Sequence, residues 1–101
     1  MALRITIEEQ PERLVVKLEG RIVGPWAAEL GRIWEQTLPT LDARKLSLDL
    51  RETTYADAVG IRALREIYSQ TDAAILTSTP WTQYLAEEVT RKIEKQTNPE
   101  A

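Results

Sequence analysis

This 101-residue sequence predicts a single α/β domain built on a four-stranded mixed sheet packed with helices, and three observations carry that expectation. Segments in which apolar and polar residues alternate read as strands, and segments with apolar residues three and four apart read as helices. The two kinds follow each other in the order ββαβαβα. The length suits one domain, placed at residues 1–96, with residues 97–101 expected to form a flexible tail.

In the first strand Leu3, Ile5 and Ile7 alternate with Arg4, Thr6 and Glu8. Glu9-Gln10-Pro11-Glu12 is a turn, because proline fixes φ and has no ladder donor. Arg13 to Glu19 forms the second strand, with Leu14, Val16 and Leu18 on one face, and Gly20 is expected to end it. So short a connection makes the two strands an antiparallel hairpin, with the first at the sheet edge. Gly24-Pro25 opens the first helix, since Pro25 suits its first position. Trp26, Ala27, Leu30, Ile33 and Trp34 form its apolar stripe, and Leu38-Pro39-Thr40 is expected to stop it.

Leu46, Leu48 and Leu50 alternate with Ser47, Asp49 and Arg51 in the third strand, which leaves Asp49 as a solvent-facing residue. Asp57 is a natural N-cap for the second helix, because its carboxylate can accept the unpaired N–H groups of the first turn. That helix runs to about Gln70. Ala73 to Thr77 reads as a short buried strand. Thr79-Pro80 caps and starts the last helix, which Trp81, Leu85, Val89 and Ile93 continue at steps of four. Strands separated by helices imply parallel neighbours joined by right-handed crossovers.

Composition narrows the function. Sixteen acidic and 13 basic residues give a net charge of −3, and the basic residues form no stripe, so nucleic acid is not an expected partner. No apolar run approaches the ~20 residues of a membrane span, so direct membrane insertion is not expected. The opening MALRITIEEQ lacks a charged start followed by an apolar run and does not read as a signal peptide. A cytoplasmic location is the resulting expectation. The chain has no Cys and no His, which removes thiol nucleophiles, imidazole bases and the usual zinc ligands together. No catalytic residue, metal ligand or cofactor is assigned, and the chain is not read as an enzyme.

Three pieces carry a resemblance: Leu18-Glu19-Gly20 at the end of the second strand, Leu48-Asp49-Leu50 in the third, and Asp57 followed three residues later by Gly60. In this order they resemble the STAS domain, a family named for sulphate transporters and anti-sigma-factor antagonists. The likeness covers nearly the whole chain. The ending TSTPWTQYLAEEV is similar to a short stand-alone form. The resemblance implies a bacterial protein-interaction module acting in transcription regulation. In antagonists of this kind a Ser after the Asp is phosphorylated by a kinase-type anti-sigma factor, and the added dianion breaks the complex. The matching position here is Ala58, followed by Val59, so no phospho-acceptor stands at this turn.

The leading expectation is therefore a docking surface without a phosphorylation switch. Its candidate residues are Thr53, Thr54, Asp57, Ala58, Val59, Gly60, Ala63 and Trp81. Asp57 also reads as a plain helix cap, Gly60 as a close approach to a neighbouring strand, and Trp81 as an exposed anchor among three tryptophans. Thr53 and Thr54 read mainly as turn residues, with displaced phosphorylation as the alternative. The implied partner is a kinase-like anti-sigma ATPase domain or a transporter ATPase, and a homodimer is compatible with the same reading. The rival functions are a constitutive accessory subunit of a membrane transport system for lipids or anions, and a sensing module for a nucleotide or other small ligand.

Overall fold

The computed structural model describes residues 3–91. β1 (Arg4–Glu9) and β2 (Arg13–Ile22) form the expected antiparallel hairpin, with Ile5 opposite Leu18 and Ile7 opposite Val16. α1 (Gly24–Leu41), β3 (Lys45–Asp49), β4 (Thr53–Ala56), α2 (Ala58–Thr71), β5 (Ala74–Leu76) and α3 (Pro80–Thr90) follow in sequence. β3 runs parallel to β2, and β5 runs parallel to β3. β1 lies at the edge, as its sequence predicts.

The sheet has five strands, one more than expected. The extra strand, β4, pairs parallel with the far end of β2, setting Gly20 opposite Thr53 and Ile22 opposite Ala56. The loop expected before Asp57 is thus partly strand. β2 itself does not end at Gly20. That residue adopts φ +107°, a backbone open to glycine without steric penalty, so the strand bends there and continues to Ile22. At the bend the register shifts: Gly20 faces Thr53 and Arg21 faces Tyr55, which leaves Thr54 as the extra residue of a β-bulge. β3 and β4 therefore behave as one strand broken by a turn, closed where the Thr53 N–H donates to the Leu50 carbonyl at 3.0 Å.

Two further boundaries differ from expectation. α1 passes through Pro39 and ends at Leu41. A proline removes one N–H and crowds the carbonyl four residues earlier, but here only two helical residues follow it, so the local loss ends nothing sooner. β5 is an exposed edge rather than a buried strand, because it pairs with β3 alone and leaves Leu76 38% exposed. Ile93 and the expected tail at 97–101 lie outside the described residues.

Alternation decides where the core sits. Leu14, Val16, Leu18 and Ile22 of β2, with Leu46, Leu48 and Leu50, face Ala27, Leu30 and Trp34 of α1, Leu64 and Ile67 of α2, and Leu85 and Val89 of α3 in one buried cluster. Each large aliphatic contributes roughly 1.5–3 kcal/mol when fully buried. Polar groups fix the helices on this base. The Trp34 indole N–H donates to Gln70 Oε1 at 2.7 Å, joining α1 to α2, and the Arg65 Nε–H donates to the Glu88 carbonyl at 2.7 Å, joining α2 to α3. Thr79 and Thr82 form a reciprocal capping box at the start of α3, as Thr79-Pro80 predicts.

Candidate functional site

Two helices begin at one carboxylate. Asp57 follows β4 directly and precedes α2. Its Oδ1 accepts the Gly60 N–H at 2.8 Å, capping α2, while its Oδ2 accepts the Gly24 N–H at the start of α1 at 3.2 Å. Its own N–H donates to the Ile22 carbonyl at 3.2 Å. The positive ends of both helix dipoles thus converge on a negative side chain, the favourable sign. Both carboxylate oxygens are committed within the chain, so Asp57 serves first as the fastener of the corner.

Gly60 explains how closely α2 can sit. A Cβ there would lie 2.1 Å from the Ile22 carbonyl oxygen, so only glycine lets the first turn rest on the end of β2. The neighbouring backbone is the close approach its sequence position suggests. The corner stands outside the carboxyl ends of the parallel strands, where open α/β sheets most often place their binding sites.

Ala58 and Val59 occupy the first turn of α2 and are exposed, Val59 by 47%. Thr54, on the bulge, is exposed, and Ala63 is half-buried one turn further along α2. All four lie on β4 and the first two turns of α2. Thr53 is buried, unlike Thr54. It is only 4% exposed, and its hydroxyl donates to the Leu18 carbonyl at 2.8 Å, stitching β4 to β2. Trp81 is half-buried against the core on α3, and α3 is tied to this end of the sheet through the Ser78 hydroxyl, which donates to the Arg51 carbonyl at 3.0 Å.

Three residues at the corner are not among the candidates taken from the sequence. Trp26, in the first turn of α1 and 38% exposed, is brought to the corner by the Gly24–Asp57 contact. Tyr55 is 44% exposed on β4, and the Arg21 guanidinium lies 5.0 Å from the centre of its ring, a distance suited to a cation–π contact. The exposure of Trp26 is not visible on the helix wheel, because Trp26 shares a face with Leu30 four residues on, which is buried. The exposure of Tyr55 depends on the bulge and is equally hidden.

Asp49 departs from its expected solvent-facing role. It is 3% exposed, and Arg51 closes over it with Nε–H to Oδ1 at 3.0 Å and an Nη2 donor to Oδ2 at 2.9 Å. The Arg51 backbone N–H adds a third bond to Oδ1 at 3.1 Å. The Arg51 hydrogen bond holds the Asp49 carboxyl below the usual carboxylate range, against the opposing effect of burial. This is a structural ion pair at the end of β3. Among the described residues no group of three acidic side chains is placed to hold a metal ion, and no helix is long and apolar enough to cross a membrane.

No protein-family model matches the chain, and no curated protein matches it. Solved structures do. The anti-sigma factor antagonist SpoIIAA in its unphosphorylated form superposes with a TM-score of 0.62 at 9% identity, covering 81% of this chain and 80% of that one. A protein of the DUF3478 family with a SpoIIAA-like fold, from Shewanella loihica PV-4, gives 0.59 at 15% identity over 89% and 81% of the two chains. Mglu gives 0.59 at 19% identity over 74% of this chain, which spans only 19% of the length of that one. The chain therefore has a SpoIIAA-like, STAS-type fold.

Proposed function

We propose that this chain is a non-catalytic protein-interaction module that docks its partner at the corner where β4 meets α2, without phosphorylation at that turn. Thr54, Ala58, Val59 and Ala63 form the contact surface, and Trp26 and Tyr55 extend it with aromatic area of the kind that anchors interfaces. Asp57 and Gly60 set its shape from beneath. The observation that carries the reading is an exposed, apolar and hydroxyl-free helix start, held rigid by a carboxylate that caps one helix and fastens the other.

A permanently docked partner suits this surface better than a switched one. Ala58 has no oxygen to accept a phosphoryl group, so a kinase-like ATPase domain would bind here as a scaffold. An ATPase subunit of a transport system fits the same terms. The likeness to SpoIIAA supports the type of module, and the partner class is inferred from the family resemblance. A standard interface would bury about 1,200–2,000 Å² in total, with Trp26 and Val59 near its centre.

The test is capture of the partner by the immobilised chain, with wild type compared against Ala58→Glu. A charge at this spot is expected to release the partner, and Val59→Glu is expected to do the same. Capture that survives both substitutions would place the interface elsewhere. Incubation with a cognate anti-sigma kinase, followed by phosphopeptide mass spectrometry, is expected to show no modified residue between Tyr55 and Ile61.

A further inference from the structure

The free edge of the sheet is complementary to itself. β1 pairs with β2 on one side only. At the hairpin turn, Gln10 and Arg13 exchange both backbone hydrogen bonds, at 2.9 and 3.4 Å. Antiparallel ladders alternate bonded and non-bonded pairs, so Glu8, Thr6 and Arg4 also direct their backbone groups toward β2. The N–H and C=O groups of Ile5, Ile7 and Glu9 then face outward, unpaired among the described residues. The side chains alternate as well. Ile5 and Ile7 sit on the core side and are only half-buried, while Arg4 and Glu8 are exposed on the opposite face. Neither Arg4 nor Glu8 makes an ion pair among the described residues.

We infer that two copies of this chain associate through β1, antiparallel about a two-fold axis at Thr6, to form one continuous sheet. A two-fold interface between edge strands is self-complementary and closed. In this register the outward backbone groups of Ile5 meet those of Ile7 of the second copy, so the bonds form in phase. The same pairs bring half-buried isoleucines together on the core side. Arg4 falls opposite Glu8 twice, at non-bonded positions, where Cα atoms approach to about 4.5 Å and side chains are closest. Odd shifts of register break the phase and mix the two faces. The neighbouring even shifts keep the phase but set Arg4 against Thr6 or Gln10, and no charge pair forms. Charged residues on an edge strand ordinarily guard it against pairing; here their order from plus to minus about Thr6 selects one partner, the same strand reversed. An edge of six residues is a small interface, so the dimer is expected to be concentration-dependent.

Sedimentation of the full chain over a concentration series tests this. Wild type is expected to dimerise reversibly. Arg4→Glu and Glu8→Arg each set like charges in opposition twice, which is expected to weaken dimerisation by about tenfold, given cross-strand charge pairs of roughly 0.2–1 kcal/mol each. An equal mixture of the two variants restores every opposite pair in the heterodimer and is expected to associate as wild type does. The register has a second readout. The chain has no Cys, so Thr6→Cys is expected to form an intermolecular disulfide on mild oxidation, because its two copies meet within bonding reach. Arg4→Cys is expected not to. A chain that stays monomeric throughout, single variants that dimerise undiminished, a mixture that fails to recover, or cross-linking at Arg4→Cys in place of Thr6→Cys would each overturn the proposal.

Discussion

Asp57 takes part in four hydrogen bonds with the backbone: two accepted by its carboxylate, one accepted by its carbonyl from the Ile61 N–H, and one donated by its own N–H. Removing the side chain leaves the first turn of α2 uncapped and the Gly24 N–H without its acceptor. Asp57→Ala is expected to lower stability by about 1–2 kcal/mol. In a domain of this size each kcal/mol moves the melting temperature by about 4–8 °C, so a calorimetric melt would resolve the effect. Gly60→Ala poses a contest between two terms. Alanine favours a helix interior over glycine by about 1 kcal/mol, but its Cβ would lie 2.1 Å from the Ile22 carbonyl oxygen. Backbone cannot yield that distance cheaply, so the overpacking cost of about 1–3 kcal/mol or more wins, and chemical denaturation is expected to show net destabilisation. Asp49 contributes to the acid limb. Its pKa is depressed in the folded state by Arg51, so the stability it contributes is present above the unfolded carboxylate value and is lost as pH falls through the folded one. Arg51→Ala removes the depressing partner and leaves burial, which raises the pKa. Acid unfolding followed by circular dichroism is then expected to begin at a higher pH than in wild type.

At the scale of the element, α2 carries the proposed site because of what stands at its start. Ala58 lies in the first helical turn, where a carboxylate favours the dipole by about 0.3–1 kcal/mol. Ala58→Glu also places a glutamate four residues before Arg62, the favourable order for a helical ion pair. The variant is thus expected to melt at or above the wild-type temperature while losing its partner, which separates a damaged interface from a damaged fold. The features of α2 that were legible in the sequence are local ones. The Asp57 cap needs only its own first turn, and Thr79-Pro80 announces α3 in the same way. The strand alternation of β1, β2 and β3 shows directly which faces are buried. What the sequence hid depends on distant neighbours. β4 exists because β2 bends at Gly20 and offers a second parallel edge, and four residues with Thr54 in a bulge leave no period to read. Asp49 alternates as an outward residue should, yet Arg51 two positions on folds back over it. Trp81 and Trp26 both read as apolar helix residues near a proline, and only the packing of α3 against the core and of Gly24 against Asp57 decides which ring is left open.

For the whole molecule, the sheet keeps the two proposed contact regions apart. Its C-terminal corner, fastened by Asp57 and Gly60, offers a firm apolar surface, and its β1 edge lies on the other side of β2. Docking at the corner needs no rearrangement of the core, so binding is expected to follow rigid-body contact. The most direct measurement is hydrogen exchange by mass spectrometry on the free and partner-bound chain. In the helix start, the Ala58 and Val59 N–H groups have no partner within their own helix, so they are expected to exchange quickly in the free chain. Binding is expected to slow exchange in the peptide spanning Thr54 to Ala63 and in the first turn of α1 around Trp26. Unchanged uptake in both segments, with protection appearing on another surface, would contradict the account.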